Sequence, residues 1–348
     1  VGFSSVPLAQ GKGKDKKVVP VGRPVIWRNP GNIRSRDLFL GPGGAELKPD
    51  TSAVTFIKEE KGGYSPKFRV RDGSGREWLA KLGKEAQSET AAVRLLWAVG
   101  YPTEINYLVP CAHINGAPRP RKKVDRCEGE GFRNVRFEAR PDTVERTGQW
   151  KWKRNPFVGR RELQGLIVMM GLINNWDIKD SNNVILYLAR GSSGSGVAES
   201  QYVISDLGAT FGKTGNLPFL WRFTRSRNDP KDFAKSRFVD KVKGRRVAFR
   251  YGGKNRGLFK DITVADAKWI GELLSRLSDR QLADAFRAAN YLPAEVTMLT
   301  EAVRRRINEL VNLPEPGVAF HRSTFNLKDA LSDLMPAPVG YELEEAGE

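Results

Sequence analysis

Lys81 closes the run Trp78-Leu-Ala-Lys81, which reads as a strand, and Glu89 opens a helical pattern eight positions later. A strand holds an ammonium group firmly enough to meet a phosphate, and an acid on the next element can orient it. Asp177 and Asn182 stand five apart in Asn175-Trp-Asp-Ile-Lys-Asp-Ser-Asn182, between an apolar helix and a short strand. A carboxylate in so braced a loop can be aimed at a proton, and an asparagine oxygen can serve a metal ion. Lys179, two residues after the aspartate, can steady an anion in transit. Asp206 follows the strand-like Tyr202-Val-Ile-Ser205 and precedes Leu207-Gly208, where a carboxylate suits magnesium and the glycine lets the chain turn away. Phosphoryl transfer asks a protein for a cation on the phosphates, an acid to orient it, metal-holding oxygens and a base beside the acceptor. Taken singly, each residue has an ordinary reading: a surface lysine, a helix-start glutamate, a turn rich in Asp, Ser and Asn, a strand exit. The ordered set carries the expectation of a phosphotransferase that uses ATP and Mg2+, with Mn2+ as an alternative.

These residues need rigid elements to bring them together, and the hydrophobic pattern supplies two kinds. Residues 53–57, 68–71 and 77–82 alternate as strands, with Asp72-Gly-Ser-Gly75 as a hairpin turn. A helical spacing covers 89–99 and Gly100 stops it, after which 107–110 and 134–137 read as strands. Residues 140–156 are polar and turn-rich, a hinge between lobes. Beyond them come a helix over 160–174, short strands at 184–187 and 202–205, and amphipathic helices over 264–277, 279–290 and 293–313. The expected fold class is α+β and bilobal. A flexible basic tail over 1–24 leads into a β-rich lobe with one helix over 25–145. A helical lobe with the catalytic loop and metal motif follows over 146–335, then an acidic tail over 336–348.

Asp177-Ile-Lys-Asp-Ser-Asn-Asn-Val-Ile-Leu186 resembles the catalytic loop of protein kinases, and Asp206-Leu-Gly208 resembles their metal-binding motif. The first lobe is most similar to HipA-type Ser/Thr kinases. Gly62-Gly-Tyr-Ser-Pro-Lys67 resembles their Gly-x-x-Pro-Lys loop, a strand lysine and a Glu-started helix follow, and Asn175-x-Asp177 fits their Asn-x-Asp pattern. The resemblance spans about residues 53–215. It implies a protein-kinase-like fold and ATP binding, with Gly62, Gly63 and Lys67 over the nucleotide phosphates. It further implies Lys81 bound to those phosphates beside Glu89, Asp177 as base, Asn182 and Asp206 on magnesium, and a protein Ser/Thr as acceptor. The chain departs from the pattern in places. Asn175-Trp176 stand where kinases carry His-Arg, Lys179 replaces the histidine common in HipA-type loops, and no Ala-Pro-Glu follows Asp206-Leu-Gly208. The phosphate loop is not Gly-x-Gly-x-x-Gly, and the amino-terminal domain of HipA proteins is not evident.

The 348 residues carry 58 Lys and Arg against 40 Asp and Glu, a net charge of +18 that draws anionic partners. Cations and aromatic residues interleave most densely over 222–256, from Arg225 and Arg227 through Phe233 and Lys241 to Arg250 and Tyr251. An acidic protein or other anionic acceptor would be drawn there, with nucleic acid as a further partner, and a solvated basic surface is the plain alternative. A pseudokinase, or a basic protein binding nucleic acid or an anionic surface without turnover, is the rival to catalysis. Gly208-Ala-Thr-Phe-Gly-Lys-Thr214 falls one residue short of a P-loop, and Pro218 interrupts the helix that should follow. Two histidines are too few for a His-built zinc site. Cys111 and Cys127 allow one disulfide or two free thiols. No apolar run is long enough to span a membrane. Residues 1–10 read either as the remnant of a secretion signal or as a flexible terminus, leaving an exported and a cytoplasmic protein as alternatives.

Overall fold

The computed structural model describes residues 20–192, 194–215 and 224–314. The signal-like start, the acidic tail and residues 222–223 of the basic segment lie outside the described residues. The first lobe is built on β2 (Val54–Glu60), β3 (Lys67–Arg71), β4 (Glu77–Lys81), β5 (Asn106–Ala112), β6 (Ile114–Asn115) and β7 (Phe132–Ala139), in the order β5-β7-β4-β3-β2-β6. Alternation decides which side chains go where. Phe68 and Val70 of β3, Trp78 and Ala80 of β4, and Val135 and Phe137 of β7 pack into one core. The opposite face presents Lys67, Arg69, Leu79, Lys81, Arg136 and Glu138, with Lys67 paired to Lys81 and Lys81 to Arg136 across the strands. The β3–β4 turn is fixed by Asp72, whose Oδ1 accepts from the N–H of Ser74 (3.0 Å) and Arg76 (2.9 Å).

The one helix of this lobe, α1 (Glu85–Ala98), packs on β5 and β7 and buries its Ala91, Ala92, Leu95 and Leu96. It ends at Gly100, whose φ of 99° suits glycine and whose added Cβ would stand 2.0 Å from the Arg28 carbonyl oxygen. The helix starts four residues earlier than its apolar pattern suggests, which brings Glu85 into the first turn.

A second sheet, β1-β10-β9-β8, comprises β1 (Arg23–Val25), β8 (Val144–Gly148), β9 (Asn183–Leu188) and β10 (Glu199–Ile204). The helical part packs α2 (Arg161–Leu172), α4 (Val264–Ser275), α5 (Asp279–Arg287) and α6 (Pro293–Val311) on one another, with bounds close to the helices expected from the sequence. Three expectations shift. Residues 140–156 are not only a hinge, because β8 pairs with β9 inside them. The presumed tail is ordered by residue 23, where β1 pairs in parallel with β10. Residues 26–38 pack against the helical core rather than the first sheet, with Trp27 and Trp269 rings 5.3 Å apart and Gln281 Nε2 donating to the Ile33 and Arg36 carbonyls at 2.9 Å. The basic segment also folds, into α3 (Pro230–Lys235) and the hairpin of β11 (Val239–Lys243) and β12 (Arg246–Phe249).

Arg306 of α6 is fully buried beneath the end of α2. It donates to the Leu172 carbonyl at 2.6 Å, to Asn174 Oδ1 at 3.1 Å and to Ser236 Oγ at 2.8 Å, and lies 4.0 Å over the Phe233 ring. The last carbonyls of a helix lack partners within it and carry partial negative charge, so a cation there satisfies both needs. No helix among the described residues is long and apolar enough to cross a membrane.

Candidate active site

Only residues 82–84 separate β4 from α1, so Glu85 and Glu89 stand one helical turn apart beside the end of the strand. Lys81 Nζ lies 2.7 Å from Glu89 Oε2, 3.3 Å from Glu85 Oε2 and 3.4 Å from Asp206 Oδ1. Burial works against the Lys81 charge, but Glu89, Asp206 and Glu85 together raise its pKa above the ordinary lysine value. Asp206 shows the mirror effect. Burial pushes its carboxyl up, yet Lys81, the Gly208 N–H and Lys67 bring it down from 3.8 to about 2. Gly208 is needed for space, since a Cβ there would stand 2.7 Å from the Glu85 Cβ.

A chain of charges leads from this cluster across the sheet. Arg136 Nη1 lies 3.0 Å from Glu89 Oε1 and the same guanidinium bonds Glu138. Arg140 Nη2 lies 2.5 Å from Glu138 Oε1, Arg146 pairs with Glu104, and Ser205 Oγ donates to Glu104 Oε2 at 3.0 Å. The chain thus ends one residue before Asp206. It borders a cavity of about 560 Å3 between the lobes, lined by Ile105, Ala139, Pro141, Leu186 and Leu188 among others.

This ladder has a pH signature. Burial would raise Glu138, but Arg140, Arg136 and Arg146 bring its carboxyl down from 4.5 to about 2. Its charge therefore stabilises the fold above pH 4.5, and that contribution disappears as pH falls toward 2. Glu104 shifts the other way, raised by burial and by Glu138, so Glu138 is the cleaner target. Thermal melts should show Glu138→Gln melting below wild type at neutral pH, with a shallower decline on acidification. Equal melting temperatures at neutral pH would remove the ladder from the list of stabilising features.

The loop after α2 is braced from below by residues 251–255. Tyr251 OH donates to the Asn175 carbonyl at 2.7 Å, Lys254 N–H to the Trp176 carbonyl at 2.8 Å, and Asn255 Nδ2 to the Ile178 carbonyl at 2.7 Å. Asp177 is gripped on both oxygens, with Lys254 Nζ 2.9 Å from Oδ1 and Lys179 Nζ 3.0 Å from Oδ2. Asn182 Nδ2 donates to the Asp177 carbonyl at 2.6 Å, which leaves Asn182 Oδ1 available to a cation. The Asn182 carbonyl accepts from the N–H of Ser205 at 2.8 Å and of Asp206 at 3.3 Å, which holds Asn182 and Asp206 side by side. Among the described residues no group of three or more His, Cys, Asp or Glu forms a metal site. A pair of protein oxygens is what magnesium needs when phosphates and water complete its shell, so Asn182 and Asp206 fit an ion that arrives with a nucleotide.

Residues 61–66 form the turn between β2 and β3, with Gly63 at φ 80°. Lys67, directly after it, faces Lys81, and burial together with the Lys81 charge lowers its pKa. Ser65 Oγ donates to Glu85 Oε2 at 2.7 Å. Arg227 also pairs with Glu85, and its guanidinium lies 4.6 Å from the Tyr64 ring centroid and 4.7 Å from that of Trp176. The turn, the helix start and the loop before Asp177 therefore meet at one arginine.

The structure brings Lys81, Glu89 and Asp206 into direct contact, joins Asn182 to both Asp177 and Asp206 through the backbone, and sets Lys67 opposite Lys81. Gly62 and Gly63 stand in the turn preceding Lys67. Sequence reasoning missed Glu85, Arg136 and Lys254, and it named Arg227 only as one cation of the basic segment, not as a partner of Glu85. Glu85 precedes the apolar pattern of its helix, and Lys254 is one cation among many in its segment. Cys111 and Cys127 are joined in a disulfide.

No protein-family model matches the chain. No curated protein matches it either. Among solved structures it is similar to the proinflammatory kinase CtkA of Helicobacter pylori, with 9% identity, 75% of this chain and 95% of that chain covered, and a TM-score of 0.45. It is also similar to the Golgi casein kinase with Mn/ADP bound, with 12% identity, 78% of each chain covered and a TM-score of 0.26.

Proposed function

We propose that the chain binds a magnesium nucleoside triphosphate, ATP on the strength of its HipA-like motifs, and transfers the terminal phosphoryl group to a protein Ser or Thr hydroxyl. One observation carries this reading: Lys81 on β4 meets Glu89 on α1 and Asp206 beyond β10 at 2.7 and 3.4 Å. A buried ammonium that touches a helix acid and an acid beside Asn182 is the arrangement a metal-bound polyphosphate requires. Lys81 and Lys67 would bind the phosphates, and Glu89 would hold Lys81 in place. Asn182 and Asp206 would hold magnesium, which neutralises phosphate charge. The cavity between the lobes would offer Ile105, Ala139, Leu186 and Leu188 to a base, beside charged residues such as Arg69, Glu104 and Arg140. Asp177 would orient the acceptor hydroxyl and take its proton as the hydroxyl oxygen bonds the terminal phosphorus. The bond from that phosphorus to the bridging oxygen breaks, and the nucleoside diphosphate leaves. Lys179 and Lys254, already beside Asp177, would steady the phosphoryl oxygens.

A second reading, nucleotide binding without turnover, is favoured by the same pair of lysines, because both Asp177 oxygens are occupied by ammonium groups. Thermal melts with ATP and Mg2+ test the shared part. Saturating nucleotide should raise the melting temperature by several degrees in wild type and hardly at all in Lys81→Met, since a ligand at ~100 times its Kd stabilises by about 2.7 kcal/mol. Wild-type protein unmoved by Mg-ATP would overturn both readings. Binding without transfer to any protein acceptor would leave the second.

A further inference from the structure

The roof of the cleft contains a contact that the converging carboxylates do not explain. Residues 116–131 form an exposed loop between β6 and β7, and the Cys111–Cys127 bond ties its far end to β5. Arg121 reaches from this loop to the turn at 61–65. Its Nη1 donates to the Lys61 carbonyl at 3.1 Å, and its Nη2 to the Gly63 carbonyl at 2.8 Å, with the carbonyls of Ser65 at 3.2 Å and Gly62 at 3.4 Å. Lys122 adds a second tie, its Nζ 3.5 Å from the centre of the Tyr64 ring.

One guanidinium drawing successive carbonyls to itself has a geometric consequence. In a planar trans peptide the C=O of one residue and the N–H of the next point in opposite directions. Turning the carbonyls of Lys61, Gly62 and Gly63 toward Arg121 turns the N–H groups of Gly62, Gly63 and Tyr64 away from it. These three N–H groups have no hydrogen-bond partner among the described residues. The Lys67 ammonium lies 3.3 Å from the position a Gly63 Cβ would take, so a positive charge already stands beside them. Successive backbone N–H groups pointing one way, next to a cation, form an anion cradle.

We propose that Arg121 is a positioning residue that presets the 61–65 turn as a phosphate cradle, and that the Cys111–Cys127 bond holds Arg121 there, making phosphate binding sensitive to thiol reduction. The inference rests on the nucleotide reading above and adds to it a residue and a control point. Both sulfurs belong to half-buried residues, within reach of a small dithiol. In the reductive step a thiolate of the dithiol attacks one protein sulfur, and the S–S bond breaks to give a mixed disulfide. The second thiol then closes a ring on the reagent. The protein gains two electrons and two protons as two thiols, and the dithiol leaves as a cyclic disulfide.

The test measures affinity for Mg-ATP and for adenosine in the full chain. Arg121→Ala should weaken Mg-ATP binding roughly tenfold, about 1.4 kcal/mol, and leave adenosine binding and the melting temperature unchanged. Arg121→Lys should retain part of the affinity, because one ammonium cannot span the spread of carbonyls. The double variant Cys111→Ser with Cys127→Ser should show the same selective loss. Dithiothreitol should produce it in wild type and change nothing in the double variant. Equal Mg-ATP affinity in Arg121→Ala and wild type would overturn this inference alone, as would a loss shared equally by adenosine. Wild-type protein that binds no nucleotide would overturn it together with the reading on which it rests.

Discussion

Asp177→Asn should lower the rate of phosphoryl transfer by roughly 10²–10⁴-fold while Mg-ATP affinity stays within a few fold of wild type. The split follows from where the side chain stands. Its contacts are Lys179 and Lys254, at 3.0 and 2.9 Å, and neither Lys81 nor Asp206 touches it. An amide keeps the shape and the N–H bond from Asp177 to Asn175 Oδ1 but cannot take a proton. Asp206→Asn should behave differently and lose magnesium-dependent nucleotide binding itself, because that residue contacts Lys81 and adjoins Asn182. Single-turnover rates beside nucleotide titrations separate the two variants. Unchanged transfer in Asp177→Asn would strip that residue of its role as base, and equal loss of binding in both would merge the two sites into one.

Arg306→Met should destabilise the fold by about 3–5 kcal/mol, measured by urea denaturation. Removing the guanidinium leaves the Leu172 carbonyl, the Asn174 side chain and Ser236 Oγ without its hydrogen bonds in a buried place. Burial pulls the Arg306 pKa down from 12.5 to about 9, which still leaves a cation at neutral pH. Methionine restores some of the apolar packing against Phe233 and relieves the desolvated charge, which keeps the expected loss from rising further. The variant should also transfer phosphoryl groups poorly when folded, since Asn174 leads directly into the loop that carries Asp177. A loss below about 1 kcal/mol would mean that water reaches the abandoned carbonyls.

The residues of the candidate site were legible in the chain to different degrees, and the difference is physical. Lys81, Asp177, Asn182 and Asp206 stand at fixed spacings beside apolar runs, so their elements could be drawn and their side chains placed at element ends. Glu85 escaped because the residue that caps α1, Lys84, makes no side-chain cap bond, leaving no capping signal before the apolar pattern. Arg136 and Glu138 escaped because charged residues in a strand normally imply solvent, whereas here each is buried by pairing with the other. Lys254 reaches Asp177 through the fold of residues 251–255 against the loop after α2, a long-range contact that no local pattern encodes. β8 reads Val-Glu-Arg-Thr-Gly, too polar to announce a strand, and is held by its pairing with β9. β1 is three residues long and contains Pro24, tolerable only at the edge position that it takes. Whether Cys111 and Cys127 were bonded depended on distance in space, which spacing along the chain does not give.

The edge strand at residues 23–25 has a kinetic consequence. Arg23 bonds Glu199, a residue 176 positions away, and the strand it pairs with, β10, ends two residues before Asp206. Contacts so distant along the chain make loop closure a late and slow event. A nascent polypeptide would hold its early residues unpaired until synthesis had passed position 204, so the acid expected to bind metal should be among the last features to become ordered during refolding.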